Sequence, residues 1–530
     1  AAKVDTGVAT WVGRDMYVGS RPSSTSELTG WDKEPGGTYA AEAEGLTLVN
    51  GRLAMNPYKK SWKNNGFRFG VVGFGAQFRP APGTYTLAVS GQNTAIGAME
   101  MPASMEASSN VDTNVGAWAR GAFVGGTVKD DPNWYKAKLA GKKSYTLKGD
   151  SEYARRAAVV GFWTETDSNE SITWNAPAST LFDDVNGVNY NNYNKTGRNY
   201  TENIQDQSAW MYALTPTGTV TTRIVESGEH WRNKYDDGKI NYQFKYSSTH
   251  KEKVLVFVGD GTSHMQTFNL KASELNSTGY SGISYDFRNF PSDASIGINI
   301  VQDDGKTPYT GDITYHNGWQ FWWTPTATKD TALTNLLEIG NGYFKDSSDE
   351  AKKAYSAASQ AIMWNYGKTN LLSIRGGTYN GQSDNGNGSQ SIGTGANQLG
   401  DDPAAAMLGS ILVPHGSFDD HVTTNGRVWV GEDFMMNNPQ YIAEFAEGGS
   451  ASIIDMDQER HNFAWYGSLS TTCSTIDWTK VGEGAESSPL PGTTWAVYND
   501  LDAAKSNSTT PQKTREPNRL RTLRRGACSQ

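Results

Sequence analysis

Cysteine is nearly absent. Cys473 and Cys528 are the two in 530 residues, so no disulfide framework holds the main body, and the count assigns no compartment. No run of about eighteen apolar residues occurs, which excludes a hydrophobic helical span. The sequence has no HExxH, no G-x-S-x-G elbow, no CxxC, no Walker loop and no Rossmann fingerprint. Charge is sparse as well, at 19% of residues. The formal net charge of -9 weighs against nucleic acid or an anionic membrane as natural partner. A mildly acidic surface is also the ordinary state of soluble proteins. An initiator Met is missing: the chain opens Ala1-Ala2-Lys3, as a mature product does after signal removal.

What is present is glycine, 57 residues, with an aromatic share of 11%. That balance describes a β-rich, loop-rich protein rather than a helical bundle. The length leaves room for roughly two to four domains. The most informative stretch is Gly409 to Leu469, which opens GSILVPHGSFDDHVTTNGRVWVGEDF and later reads ERHNFAWYGSL. Short apolar pieces (Ile411 to Val413, Val428 to Val430) alternate with Gly, Asn and Asp corners. Such spacing suits a β-solenoid, whose coils turn at Gly or Asn and stack on one another.

Elsewhere, strands are expected at Trp11 to Gly19, Glu44 to Met55, Phe67 to Gly75, Tyr85 to Val89 and Ala157 to Glu165. Further strands are expected at Lys253 to Gly259, His264 to Leu270, Ser295 to Val301 and Leu371 to Ile374. A helix over Tyr200 to Ala213 would bring Ile204, Ala209, Met211 and Ala213 near one side before Thr215-Pro216-Thr217-Gly218 breaks it. Asp346 to Tyr366 reads as a second helix, with an acidic start, an Ala-rich interior and Gly367 as its stop. Gly70-x-x-Gly73-x-Gly75 lacks the helix start and Lys of a phosphate loop.

Five segments occur in the order seen in choice-of-anchor A domains, and together they resemble that family. These are Ala43-Glu44-Gly45, Val72-Gly73-Phe74-Gly75, the Pro291-to-Asn299 strand, Ile362-Met363-Trp364-Asn365-Tyr366, and the Gly409-to-Gly467 closing part. The resemblance covers about Val8 to Leu469. Ile476 to Tyr498 resembles the first two strands of a Cna-B-type (SpaA-like) stalk domain, where Lys480 would be the isopeptide cross-link lysine. An exposed strand lysine is the plain alternative.

The resemblance implies a mainly β, β-solenoid-like adhesin head with helical and loop insertions over residues 1–470. The insertions fall at about 100–250 and 302–361. The start of an immunoglobulin-like Cna-B segment would occupy 471–500, and a basic, disordered tail 501–530. The family is one of secreted surface adhesins, and fimbrial tip adhesins of actinobacteria, coaggregation factors among them, are similar in organisation. Implied partners are a cell-surface polysaccharide or an extracellular-matrix protein such as collagen, with a pilus shaft subunit beyond the C-terminal part. The implied location is the bacterial cell wall or pilus. The chain shows no LPxTG-like sorting motif, so a wall anchor would lie outside it.

For ligand chemistry the leading segment is Tyr315-His316-Asn317-Gly318-Trp319-Gln320-Phe321-Trp322-Trp323. Sugars stack C–H faces on aromatic rings, and Tyr315, Trp319, Trp322 and Trp323 are the candidate ligand-binding residues. In an extended strand Trp319, Phe321 and Trp323 would share one face, with Gln320 and Trp322 on the other. The alternative is that both faces are buried under adjacent insertions. Tyr190, Tyr193 and Tyr200, set among asparagines, form a weaker candidate of the same kind. No catalytic set and no metal-ligand spacing is expected; His415 and His421 are six apart, and His461 reads as a buried, hydrogen-bonded structural residue. The Asp pairs at 183–184, 303–304, 401–402 and 419–420 fit turn chemistry, with calcium through loop oxygens left open. A polysaccharide-active enzyme would need acidic residues converging with Lys or Arg on one strand face.

Overall fold

The computed structural model describes residues 3–21, 40–51, 182–226, 251–280, 282–339, 348–376, 406–438 and 458–467. It also describes Thr38 and short strand segments within 53–159, 231–245, 384–385 and 475–524. The chain divides into two units, Ala1–Ser468 and Leu469–Gln530. The first is mainly β, with strands gathered into three large, largely parallel sheets of eleven, ten and six strands among the described residues.

Successive strands step from sheet to sheet in a fixed order. From the third sheet at Met407–Leu408 the chain passes to the first at Ser410–Val413 and the second at Ser417–Asp420. The next circuit uses Thr424–Asn425, Val428–Val430 and Phe434–Met436, each parallel to its predecessor. Gln458–His461 then begins another circuit on the third sheet. The strands that continue that circuit come from the opposite end of the sequence. Val8–Val12 lies between Val428–Val430 and Leu46–Val49, parallel to both. Met16–Val18 likewise lies between Phe434–Met436 and Leu53–Met55. Ala40–Ala43 pairs with Gln458–His461. The N-terminal circuits thus stack onto the last of the C-terminal ones.

The expected strand over residues 11–19 is therefore two strands with a corner between them, and residues 44–55 divide in the same way. Close approach of neighbouring backbones explains the glycines at these corners. A Cβ on Gly13 would be driven into the carbonyl of Gly431, and one on Gly431 into that of Pro414. Interior positions are apolar on all three sheets. Val12, Val49, Val413, Val430, Phe418 and Phe434 belong to one continuous buried cluster. Like residues stack along the pile: Phe257 on Phe287 at 4.5 Å and Phe418 on Phe434 at 5.5 Å between ring centroids. In the second sheet antiparallel strands cover both ends, Thr219–Glu226 against Lys251–Val258 and Ala117–Ala119 against Leu53–Met55. These pairings occupy backbone groups that bare parallel edges would leave open.

Both expected helices form. The first runs Tyr200–Ala213, opened by a capping box in which Asn199 and Glu202 each bond the other's backbone N–H. Its buried residues are Tyr200, Ile204, Ser208 and Met211; Ala209 and Ala213, expected on that side, are exposed. Ser208 is drawn inward because its hydroxyl donates to Asn365 Oδ1 at 2.6 Å. The second helix spans Asp349–Ala361, shorter than expected, because Ile362–Asn365 joins the first sheet as a strand buried along its whole length. The expected strands over 67–75 and 157–165 are described only at Arg68–Phe69 and Ala158–Val159.

In the second unit three antiparallel pairs are described: Thr475–Ile476 with Leu523–Arg524, Val481–Gly482 with Ala485–Pro489, and Trp495–Val497 with Lys513–Arg515. Two of these strands fall in the stretch whose composition reads as a disordered tail. Lys480, Cys473 and Cys528 lie outside the described residues. Among the described residues, no helix is long and apolar enough to cross a membrane.

Two polar clamps fasten the N-terminal circuits. Asp433, 4% exposed at its side chain, accepts from Arg14 Nε at 2.6 Å, Arg21 Nη1 at 2.9 Å and the Asp15 N–H at 3.1 Å. Asp5 takes both guanidinium nitrogens of Arg427 at 2.6 and 2.9 Å and the Asn462 amide at 2.8 Å. Burial pushes the Asp5 carboxyl upward, but Arg427, Asn462 and the Gly7 N–H outweigh it and hold the group below the ordinary carboxylate value. Because both arginines paired with Asp433 reach solvent in part, Asp433→Ala is expected to cost about 1.5–3 kcal/mol. Urea denaturation measures this; a loss below about 0.5 kcal/mol would show that the clamp is dispensable.

Candidate functional site

The aromatic segment at 315–323 lies within the strand Ile313–Thr324 of the second sheet. Its first part pairs with Leu371–Arg375 and its last part with Gly282–Arg288. Between them the register slips: Asn317 faces Ile283, yet Phe321 faces Tyr285, so the residues between leave the ladder. Past the slip, residues 321–323 keep the expected alternation. Phe321 and Trp323 point into the main core, while Trp322 joins a separate cluster with Val254 and Val256. The Trp319 side chain lies outside what the structure describes.

Tyr315, Trp322 and Trp323 are all buried, Trp322 at 8% exposure. The segment after Thr324 folds back over them. Ile339 N–H donates to Phe321 O at 2.8 Å, Trp323 N–H donates to Leu337 O at 2.9 Å, and Leu336 packs against the Trp322 cluster. The Arg223 guanidinium stands 4.6 Å from the Trp322 ring centroid and also pairs with the buried Asp286 carboxylate. These contacts give the segment a packing role, and no ring face of the three is open to a sugar.

The other aromatic group has a different geometry. Residues 182–199 form a compact loop outside the first sheet, closed by Tyr190 N–H to Phe182 O at 2.7 Å and Tyr193 N–H to Arg198 O at 2.8 Å. Asn186, Asn194 and Lys195 hold left-handed backbone, which asparagine tolerates. Inside the loop, Tyr190 and Tyr200 are buried against Trp11, whose indole N–H donates to Thr201 Oγ1 at 2.9 Å. Tyr193 lies above them, stacked on Tyr190 at 5.9 Å and edge-on to Tyr200 at 4.7 Å. It is half-buried, as is Trp429, whose ring lies edge-on to Tyr200 at 6.2 Å. Burial raises the Tyr193 hydroxyl above the ordinary tyrosine value, so the ring stays neutral well past physiological pH.

Exposed polar residues surround this platform: Asp183, Asp184, Asn189, Asn192, Asn194, Lys195 and Arg198. Several oxygens are spent on the loop itself. Asp184 accepts from Gly187 N–H at 2.8 Å, Asp183 from Asn191 Nδ2 at 2.9 Å, and Asn192 from Gly197 N–H at 2.5 Å. Asp304 likewise caps Lys306 and Thr307, and Asp303 binds the Ser273 hydroxyl. Turn chemistry therefore occupies Asp184 and Asp304; the expectation of a loop fails for Asp419 and Asp420, which end the strand Ser417–Asp420 with Asp420 fully buried, and Asp401 and Asp402 lie outside the described residues. His415 neighbours Lys368 at 3.1 Å, and burial followed by that charge lowers its pKa. His461 is buried, with hydrogen-bond partners at both ring nitrogens, Asn425 and Glu459.

Comparison with known protein families, with curated proteins and with solved structures returns no match to this chain.

The buried aromatics make two stability predictions. Trp322→Ala is expected to lose about 3–5 kcal/mol by denaturant unfolding; a loss under about 1 kcal/mol would mean that the indole is dispensable to packing. Tyr285, Tyr315 and Tyr366 form a buried hydroxyl chain, with O···O distances of 3.3 and 3.2 Å. Burial lifts all three well above the ordinary value, with charge repulsion from neighbouring tyrosines adding to it. A folded-state pKa above the unfolded one means stability is full below about pH 10 and falls as pH climbs beyond it. Thermal melts across that range should show a steepening decline, reduced in Tyr315→Phe.

Proposed function

We propose that this chain is the head of a secreted bacterial adhesin, built on a β-solenoid and binding carbohydrate through the Tyr193–Trp429 platform. The observation that carries the reading is the half-open Tyr193 ring, held rigid by stacking on buried Tyr190 and bordered by exposed Asn, Asp, Lys and Arg. A sugar needs that combination: an apolar ring face for its C–H surface and amide, carboxylate or cationic groups for its hydroxyls. The ordered circuits support the solenoid part, and the choice-of-anchor A resemblance supports the surface location. In this reading the ligand is a partner-cell or host polysaccharide. The region from Leu469 begins a Cna-B-like stalk in which Lys480 is the cross-linking lysine and a pilus shaft subunit follows.

A glycan-array screen of the full chain tests the reading, with Tyr193→Ala and Trp429→Ala alongside. Selective binding is expected, weakened by about 0.5–1.5 kcal/mol per ring removed, while Tyr315→Phe binds as the parent does. A folded protein that binds no glycan, or whose binding ignores both substitutions, overturns it. Binding to collagen instead would identify a matrix-protein adhesin.

A further inference from the structure

The third sheet carries a polar cluster that the carbohydrate reading does not use. Its strands Ala40–Ala43 and Gln458–His461 run parallel, with Glu42 directly opposite Glu459. Glu459 and His461 are two apart on one strand and so project to the same side, where His461 Nε2 lies 2.6 Å from Glu459 Oε2. One ligand atom each from Glu42, Glu459 and His461 falls within 4.8 Å of the others. The set is sheltered: Glu42 is 2% exposed, His461 is 7% exposed and Glu459 is half-buried.

The orientation of His461 is fixed from behind. Its Nδ1 sits 3.0 Å from Oδ1 of Asn425, its register neighbour on the adjoining strand. An amide oxygen only accepts, so in this amide orientation Nδ1 carries the proton. Nε2 is thereby directed at the two carboxylates. Nε2 and a carboxyl oxygen this close need a proton between them, carried by the ring or by the carboxyl, or else a metal ion. An imidazole held by an amide or carbonyl behind and facing acidic oxygens in front is the usual construction of a metal-bound histidine.

We propose that Glu42, Glu459 and His461 form a binding site for a divalent transition metal of the zinc class. A mixed nitrogen and oxygen set favours zinc or its neighbours; calcium takes oxygen ligands alone and more of them. Tetrahedral ligand distances of about 2.0–2.2 Å put Nε2 and Oε2 about 3.4 Å apart, so the 2.6 Å contact must open by roughly 0.8 Å, which side-chain rotation supplies. Three protein ligands leave a fourth position for water or an incoming donor. The ion would join strands from opposite ends of the first unit, so its binding free energy adds to the stability of their pairing. The inference stands independently of the carbohydrate reading.

Full-length protein stripped with a chelator is titrated with Zn²⁺ by calorimetry, with Co²⁺ absorption reporting the ligand set and Ca²⁺ as a hard-ion comparison. One equivalent of Zn²⁺ is expected, with a raised Tm. His461→Ala should remove the uptake and the Tm shift together. Glu459→Gln, which keeps size and hydrogen-bonding capacity, guards against misfolding and should fold while losing both. Asn425→Ala should weaken binding roughly 10–100-fold, and His415→Ala should leave it unchanged. Absence of uptake by the folded, stripped parent overturns the proposal, as does equal uptake by Glu459→Gln. A Tm that responds to acidification but not to metal also overturns it, and assigns the cluster to a protonated histidine ion pair.

Discussion

The constraint on which the first unit depends is the demand of Val8–Val12 for backbone partners on both sides. A strand within a parallel sheet has donors and acceptors along both edges, and burying them unpaired is costly. Here one edge is met by Val428–Val430 and the other by Leu46–Val49. Without this insertion Val428–Val430 and Leu46–Val49 would each present an open parallel edge in the first sheet. The bidentate Asp5–Arg427 pair and the Asp433 clamp sit at the same junction. Buried charge of this kind adds less to net stability than apolar packing, but it penalises a wrong register heavily. Pairing residues some 400 positions apart also implies slow closure, because loop entropy must be overcome before the contacts form.

A second layer of organisation lies on the outside of the first sheet. Asn269, Asn299 and Asn365 occupy successive register positions. Asn365 Nδ2 donates to Asn299 Oδ1 at 2.8 Å, and Asn299 Nδ2 donates to Met211 O at 2.9 Å at the end of the first helix. Tyr212 adds its hydroxyl to Ile300 O at 2.8 Å and receives the Gly367 N–H. The asparagine ladder thus anchors the helix, and the helix start fixes Tyr200, against which Tyr190 and Tyr193 pack. Position passes from sheet register to ring placement through rigid elements, not through the loop alone.

How much of this was legible follows from how local each signal is. The strands Ser295–Val301 and Val428–Val430 were readable because a short apolar run between Gly or polar corners has few other fates. The first helix was readable in its bounds but not in its buried face, because Ser208 turns inward to meet Asn365, a partner 157 residues away. The second helix ended early for a similar reason: Ile362–Asn365 has a helix-compatible lead-in, yet the sheet claims it. The insertion of Val8–Val12 between distant circuits left no local mark. Nor did the slip between Asn317 and Phe321, although past it Phe321 and Trp323 still face the core and Trp322 the other side, as strand alternation predicts. The aromatic density of that segment suggests a ligand site, but density alone does not distinguish a platform from a core.

The contrast between the two aromatic groups turns on what covers them. Trp322 is closed over by the segment around Leu336 and by Arg223, whose charge is committed to Asp286. Exposing it would break a cation–π contact and an ion pair together, so ligand binding there would carry a large reorganisation cost. Tyr193 needs no such opening. Its ring is already held by Tyr190 and Tyr200, so a ligand stacking on it freezes little additional side-chain freedom. Asp184, Asn189 and Asn192 around it are partly immobilised by accepting backbone N–H groups of the same loop. Pre-organisation, more than the number of aromatic residues, is what favours the smaller tyrosine group over the tryptophan-rich strand.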